Sequence, residues 1–182
     1  QVAAVMNITP NHLDRHGSME NYAAAKARIL LHQNASDTAV LNREDQGSWQ
    51  LRSLLRGGLA SFGIQPPAAG ESGTFAEAGQ LIFTDGHRQQ SLMPQNQVSL
   101  RGDHNLVNAL AAAAISLAAG LAPAAVGLGV AGFGGVAHRL ELIREWKGVR
   151  WYNDSIATAP ERTMAAIHSF SEPLVLLLGG RD

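Results

Sequence analysis

The sequence predicts an α/β protein, on three observations. Short apolar runs bounded by turn residues, such as Thr38–Asn42 (TAVLN) and residues 59–63 (LASFG), read as strands. Helical patterns stand between and after them. The last third reads strand, loop, helix, strand, which is a βαβ unit and needs a parallel sheet. The 182 residues, 46% apolar and 16% charged, suffice for one or two domains with a sizeable core.

The densest chemistry comes first. Residues 7–26 (NITPNHLDRHGSMENYAAAK) hold Thr9, Asn11, His12, Asp14, Arg15 and His16 within eight positions, and Lys26 follows inside an alanine run. Thr9 and Pro10 suit a cap and a first helical position; Gly17 and Ser18 suit a stop and a new cap. His12 and Lys26 therefore sit on two short neighbouring helical pieces that can face one point. The second helix runs through Leu30 to about Gln33, and a turn at residues 34–37 leads into the buried strand Thr38–Asn42. Residues 43–56 read as a helix with Trp49, Leu51, Leu54 and Leu55 on its apolar side, stopped by Gly57 and Gly58. The strand at 59–63 and a surface loop at 65–73 follow. Phe75, residues 81–83, the Asp85-Gly86 turn and residues 91–93 make small antiparallel strands, one pair joined as a hairpin.

Residues 100–103 look like a strand end, a turn and an N-cap. The helix at 104–119 carries Leu106, Leu110, Ala113 and Leu117 at helical spacing, and Gly120 ends it. A second helix starts at Pro123 and runs into a hinge-like stretch at 132–135. Composition changes near residues 136–138, where a domain boundary is expected. Strands at 139–146 and 149–152 flank Lys147-Gly148, Asn153, Asp154 and Ser155 form a polar elbow, Pro160 opens a helix to about Phe170, and residues 174–178 (LVLLL) make a fully buried strand.

The net charge of -1 gives no electrostatic case for nucleic acid or an anionic membrane. Without cysteine there is no disulfide scaffold and no Cys-type zinc site, and a reducing cytosol is comfortable. No signal peptide is visible, and both ends read as cut, so an internal fragment is expected. Residues 105–137 carry no charge, but Ala and Gly dominate, and Gly120 and Pro123 break the stretch into pieces too short to span a bilayer.

Each motif has a bland reading beside it. Gly127, Gly129 and Gly132 match the spacing of a dinucleotide loop, but no strand precedes them, so a helix end and hinge is the better reading. His12 and His16, four apart, lack the glutamate of a zinc hydrolase motif and are cut off by Gly17. Lys26 is by default a snorkelling lysine. Burial among small side chains instead favours a neutral amine, which can take up carbon dioxide to form a carbamate, an oxygen ligand suited to magnesium. Asn105 and Asn108 share a face in the first helical turn and either cap it or read a purine edge, a carboxamide offering both donor and acceptor. The elbow at Asp154 sits where open α/β sheets bind ligands, though turn chemistry explains Asp and Ser there equally well.

Taken in order, NITPNHLDRHGSMENYAAAKARI, RGDHNLVNALAAAAI, HRLELI, GVRWYNDSIATAP and LLLGGRD resemble the Mur ligases, and within them the D-glutamate-adding branch. The resemblance spans nearly the whole chain. It implies that residues 1–136 are the later part of a central, P-loop-type ATPase domain with a small antiparallel strand region. Residues 137–182 then open a Rossmann-like C-terminal domain with its first βαβ unit. A UDP-binding domain and the phosphate loop would precede Gln1, so the fragment alone is expected to be inactive.

The implied activity is ATP-dependent amide formation in peptidoglycan precursor synthesis: the carboxylate of UDP-N-acetylmuramoyl-L-alanine becomes an acyl phosphate, and D-glutamate attacks it. The same resemblance implies ATP and magnesium, a cytoplasmic monomer, and no nucleic-acid or membrane partner. It makes His12 a magnesium ligand and Lys26, as its carbamate, another. It gives Asn105 and Asn108 to adenine, Arg139 to the nucleotide phosphates, Asp154 to the ribose, and Thr158 with Ser155 to the incoming amino acid. One departure stands out: Ile156 occupies a position where many members of the D-glutamate branch have lysine. An L-glutamate-adding ligase is therefore a second expectation, and a non-catalytic nucleotide-binding module a third.

Overall fold

The computed structural model describes residues 1–9 and 17–179. Two compact units emerge, one of Gln1–Val98 with Val107–Phe133, the other of Ser99–Leu106 with Gly134–Asp182.

The first unit is built on one sheet whose strands follow chain order: β1 (Val2–Val5), β2 (Thr38–Asn42), β3 (Gly58–Phe62), β4 (Ser72–Glu77), β5 (Gln80–Thr84) and β6 (Gln89–Pro94). The first four pair in parallel, with Val5 opposite Leu41 and Asn42 opposite Phe62. The last two add antiparallel through short turns. The small antiparallel region is thus the continuation of the parallel sheet rather than a separate one.

Helix α1 (Met19–Leu31) starts where the residues say it should. Gly17 takes φ +74°, and the Ser18 side chain accepts the Asn21 N–H at 3.2 Å. Its Ala27 and Leu30 pack with Val5, Ile8, Ala39, Leu41 and Leu51 into one face of the core. Val40, between Ala39 and Leu41, points to the other face by the two-residue pleat and is also fully buried. On that face Thr38 and Ala60 share a small cavity with Ala114 and Leu117 of helix α3 (Asp103–Ala118). The Thr74 hydroxyl donates to the Leu110 carbonyl of the same helix at 2.7 Å.

The helix expected over 43–56 is shorter. Asp45 caps it, so α2 spans Gln46–Gln50 and tightens into a 3-10 turn at Leu51–Leu54. Arg43 is drawn out of the helix by five hydrogen bonds to four acceptors: the Ser61 hydroxyl at 3.2 Å, the Gly63 carbonyl at 3.0 Å, the Thr74 carbonyl at 2.9 Å, and the Gln65 carbonyl twice. Burial lowers the pKa of its guanidinium, with Glu44 and Glu71 acting against that.

Helix α4 (Pro123–Ala131) takes in two of the three spaced glycines, Gly127 and Gly129, while Gly132 caps its end as expected. A Cβ on Gly127 would stand 2.2 Å from the Leu92 carbonyl oxygen of β6, whereas one on Gly129 would meet nothing within 4 Å. Gly127 is there for helix-on-strand packing. Among the described residues no helix is long and apolar enough to cross a membrane.

The second unit holds an antiparallel hairpin, β7 (Glu141–Trp146) and β8 (Val149–Asn153), and helix α5 (Pro160–His168). Lys147 and Gly148 turn the hairpin with φ of +50° and +77°. Tyr152 meets Phe170 edge to face at 5.0 Å. The strand expected at residues 174–178 is not formed, and Val175, Leu177 and Leu178 are 87%, 80% and 75% exposed. An all-apolar run of this kind is stable as a strand only between neighbours in a covered sheet, and among the described residues nothing pairs with it.

Chemical denaturation separates the two helical glycines. Gly127→Ala is expected to cost roughly 1–3 kcal/mol through overpacking against backbone. Gly129→Ala is expected to gain about 0.5–1 kcal/mol from helix propensity.

Candidate functional site

In the first unit the site is the carboxyl end of β1. Two side chains and a glycine after β2 fix that end. The buried Ser48 hydroxyl donates to the Val5 carbonyl at 2.7 Å and accepts the Asn42 N–H at 3.1 Å. Asp45 Oδ1 accepts the Ile8 N–H at 3.0 Å and the Ser48 N–H at 2.7 Å. Gly47 completes the junction, because a Cβ there would sit 2.6 Å from the Ile8 Cβ. The chain therefore leaves β1 in a set direction, with the Asn7 carbonyl presented to α1.

Lys26 meets it. Its Nζ donates to the Asn7 carbonyl at 2.7 Å and lies 4.7 Å from the centre of the Tyr22 ring. The side chain is half-buried. So the lysine does not merely snorkel away from the alanine run; it turns back to the end of a parallel strand, where α/β sheets place ligands. His12 lies outside the described residues. Asn108, on α3, is exposed.

The second unit gathers the other candidates. Asn105 is 4% exposed and its Nδ2 donates to the Arg101 carbonyl at 2.6 Å. The segment around Arg139 is docked onto the polar elbow by side chains. The Leu140 N–H donates to Asp154 Oδ1 at 3.0 Å, the Ile156 N–H to the His138 carbonyl at 3.2 Å, and Asn153 Nδ2 and His138 Nδ1 lie 2.8 Å apart. These bonds hold His138 and Leu140 at φ of +65° and +44°, a region that side chains other than glycine enter rarely. Arg139 sits between them and is exposed. Ser155 donates its N–H to Asn153 Oδ1 at 3.0 Å, so the elbow does use turn chemistry, and in doing so it brings Arg139, Asp154 and Ser155 together. Thr158, on the same loop, is exposed.

Sequence reasoning passed over two features of this unit. His104 reads as an ordinary first-turn residue, but desolvation of its ring and the nearby Arg139 guanidinium lower its pKa, opposed by Asp154 and Asp103. The imidazole therefore belongs to the same charged group as Arg139 and Asp154. The other is a clamp on Arg101. Its guanidinium bonds both oxygens of Glu172 at 3.0 and 3.1 Å, Arg150 also bonds Glu172, and Tyr152 and Phe170 lie 5.6 and 5.1 Å from the guanidinium carbon. Only the positive charge of Arg101 and the aromatic residues were visible in the sequence; the meeting of Arg101 with Glu172 spans 71 positions of chain.

Hydrogen bonds from Arg101 hold the Glu172 carboxyl down at about 2, against an ordinary 4.5. A depressed carboxylate stabilises the folded state above its unfolded pKa and loses that contribution as pH falls through the folded value. In an NMR pH titration Glu172 is expected to stay ionised well below 4.5 and to titrate near about 2. Arg101→Met should move its midpoint up towards the ordinary value; a midpoint already near 4.5 in the unaltered protein would remove the clamp.

Comparison with known proteins gives a consistent picture. Residues 1–116 match the family described as the Mur ligase middle domain. The chain is similar, at 40% identity over 182 residues, to the UDP-N-acetylmuramoylalanine--D-glutamate ligase of Koribacter versatilis (strain Ellin345), covering 100% of this chain and 40% of that protein. The ligase of the same name from Pelotomaculum thermopropionicum is also 40% identical, over 183 residues, again with 100% of this chain and 40% of that protein covered. A crystal structure of MurF from Acinetobacter baumannii superposes with a TM-score of 0.72 at 23% identity, covering 92% of this chain and 36% of that one. The chain thus spans about 40% of the length of the curated relatives it matches.

Proposed function

The chain belongs to the Mur ligase family, and we propose that it is part of an ATP-dependent ligase joining D-glutamate to UDP-N-acetylmuramoyl-L-alanine in cytoplasmic peptidoglycan precursor synthesis. One observation carries this reading: 40% identity over the entire chain to proteins of that name. The same names favour D- over L-glutamate despite Ile156. Residues 1–136 are read as the later part of the ATPase domain and residues 137–182 as the start of the C-terminal domain. One division between the compact units, at Phe133 and Gly134, lies close to that boundary, while Ser99–Leu106 groups with the later residues. The enzyme is read as a monomer acting on soluble substrates.

In the proposed reaction the γ-phosphoryl group of ATP passes to the alanine carboxylate, giving an acyl phosphate and ADP. The glutamate amine attacks the acyl carbon; the tetrahedral intermediate collapses, phosphate leaves, and the nitrogen loses a proton. Such chemistry is governed by positioning and charge neutralisation. Asn105 and Asn108 are read as holding adenine and Asp154 the ribose. Arg139, exposed beside the elbow, is read as meeting the phosphates, and Ser155 and Thr158 as lining the amino-acid site.

Lys26 and His12 are read as holding magnesium, which when bound supplies positive charge at the phosphoryl oxygens. The lysine fits that role in one testable respect. A carbamate keeps one N–H on the nitrogen, so the bond from Nζ to the Asn7 carbonyl survives modification while two new oxygens become available as ligands.

Assaying the intact protein for phosphate release with ATP, UDP-N-acetylmuramoyl-L-alanine and each glutamate enantiomer tests the reading. Turnover with the D form is expected; inertness towards both enantiomers would overturn it. Lys26→Ala should lower kcat by on the order of 10²–10³, without rescue by bicarbonate, and a near-normal rate would remove Lys26 from the machinery.

A further inference from the structure

We propose that Arg101 is a positioning residue for the nucleotide base: the clamp on its guanidinium fixes the backbone carbonyl that orients the Asn105 carboxamide. The inference rests on the reading of Asn105 as a contact to adenine, and goes beyond it by naming what holds that contact in place.

The argument runs from the clamp inward. A single exposed ion pair would hold nothing firmly. Here the fork of Arg101 meets both carboxylate oxygens of Glu172, the geometry that fixes direction as well as distance. A second arginine, Arg150, shares the same carboxylate, and two aromatic rings flank the guanidinium. Tyr152 and Arg150 are on β8, and Phe170 and Glu172 lie just beyond α5, so Arg101 is fastened to β8 and to the segment that follows α5.

One residue further on, the backbone cannot drift independently. Gly102 takes φ +89°, and a Cβ there would come within 2.9 Å of both the His104 ring and Ser169. The Arg101 carbonyl is therefore held from both sides, and it receives Asn105 Nδ2 at 2.6 Å. This bond restricts the orientation of the carboxamide, and with it the direction in which its oxygen and nitrogen can address a purine edge. The Arg101 side chain is taken up by Glu172, Tyr152 and Phe170, so its link to Asn105 is this carbonyl.

A residue that orients a base-reading group should control which base is read. In the intact enzyme, Arg101→Met is expected to raise KM for ATP and to lower the preference for ATP over GTP, measured as the ratio of kcat/KM values, by about tenfold. KM for glutamate and kcat at saturating ATP should change little. Glu172→Gln, which keeps the shape of the side chain, is expected to move the ratio in the same direction. The double variant should be no worse than Arg101→Met, because both changes break one unit. Asn105→Ala is the reference and should abolish the preference outright.

If Asn105→Ala abolishes it and neither Arg101→Met nor Glu172→Gln alters it, the positioning role is wrong and the adenine reading stands. If Asn105→Ala leaves the preference intact, the adenine reading falls and this inference falls with it. Loss of kcat with all substrates and an unchanged ATP to GTP ratio would show Arg101 to be merely structural, and would also overturn the proposal.

Discussion

The direction in which the chain leaves β1 is the constraint on which the first unit depends. Val5 ends a parallel strand with its carbonyl pointing to a neighbour that has already diverged, and a buried carbonyl left alone there would cost as much as a lost hydrogen bond. Ser48 resolves this by bridging the Val5 carbonyl and the Asn42 N–H, and Asp45 secures the next free donor at Ile8. Those two side chains can reach only because α2 begins at Gln46 and Gly47 lets the helix start press against Ile8. With the exit of β1 set, the Asn7 carbonyl has one place to be, and Lys26, held on α1 by the packing of Ala27 and Leu30, reaches it.

The second unit solves the same problem with different parts. Its apolar residues are largely exposed, among them Trp146, Val149 and Trp151, so burial contributes less to order there than in the first unit. Polar ties take over: Asp154, Asn153 and Glu141 fasten the turn that carries Arg139, and Glu172 fastens Arg101. That His138 and Leu140 persist in left-handed conformations shows how strongly the turn is over-determined.

What the sequence made legible divides along the same line. The helix cap at Ser18, the strand at Thr38–Asn42 and the helix ending before Gly120 depend on neighbours a few positions away, and local chemistry was enough to find them. β1 was overlooked because Val-Ala-Ala-Val carries little strand preference of its own and is made a strand by pairing with β2. The joining of β3 to β4, which merges the parallel and antiparallel regions, pairs Ser61 with Gly73 and has no periodic signature. The apolar run at 174–178 looked like a strand for its composition alone, and composition does not supply a neighbour. The candidate site followed the same rule: Lys26, Arg139, Asp154 and Asn105 were proposed from motif order, while His104 and the Arg101–Glu172 clamp required the fold.

The Lys26 amine at the end of β1 is proposed as the ligand-bearing group of a phosphoryl-transfer site. Supplying the intact protein with ¹³C-bicarbonate and recording its ¹³C NMR spectrum tests this directly. The account predicts a carbamate carbon signal that is present in the unaltered protein and absent from Lys26→Arg. Identical spectra from the two proteins would contradict it.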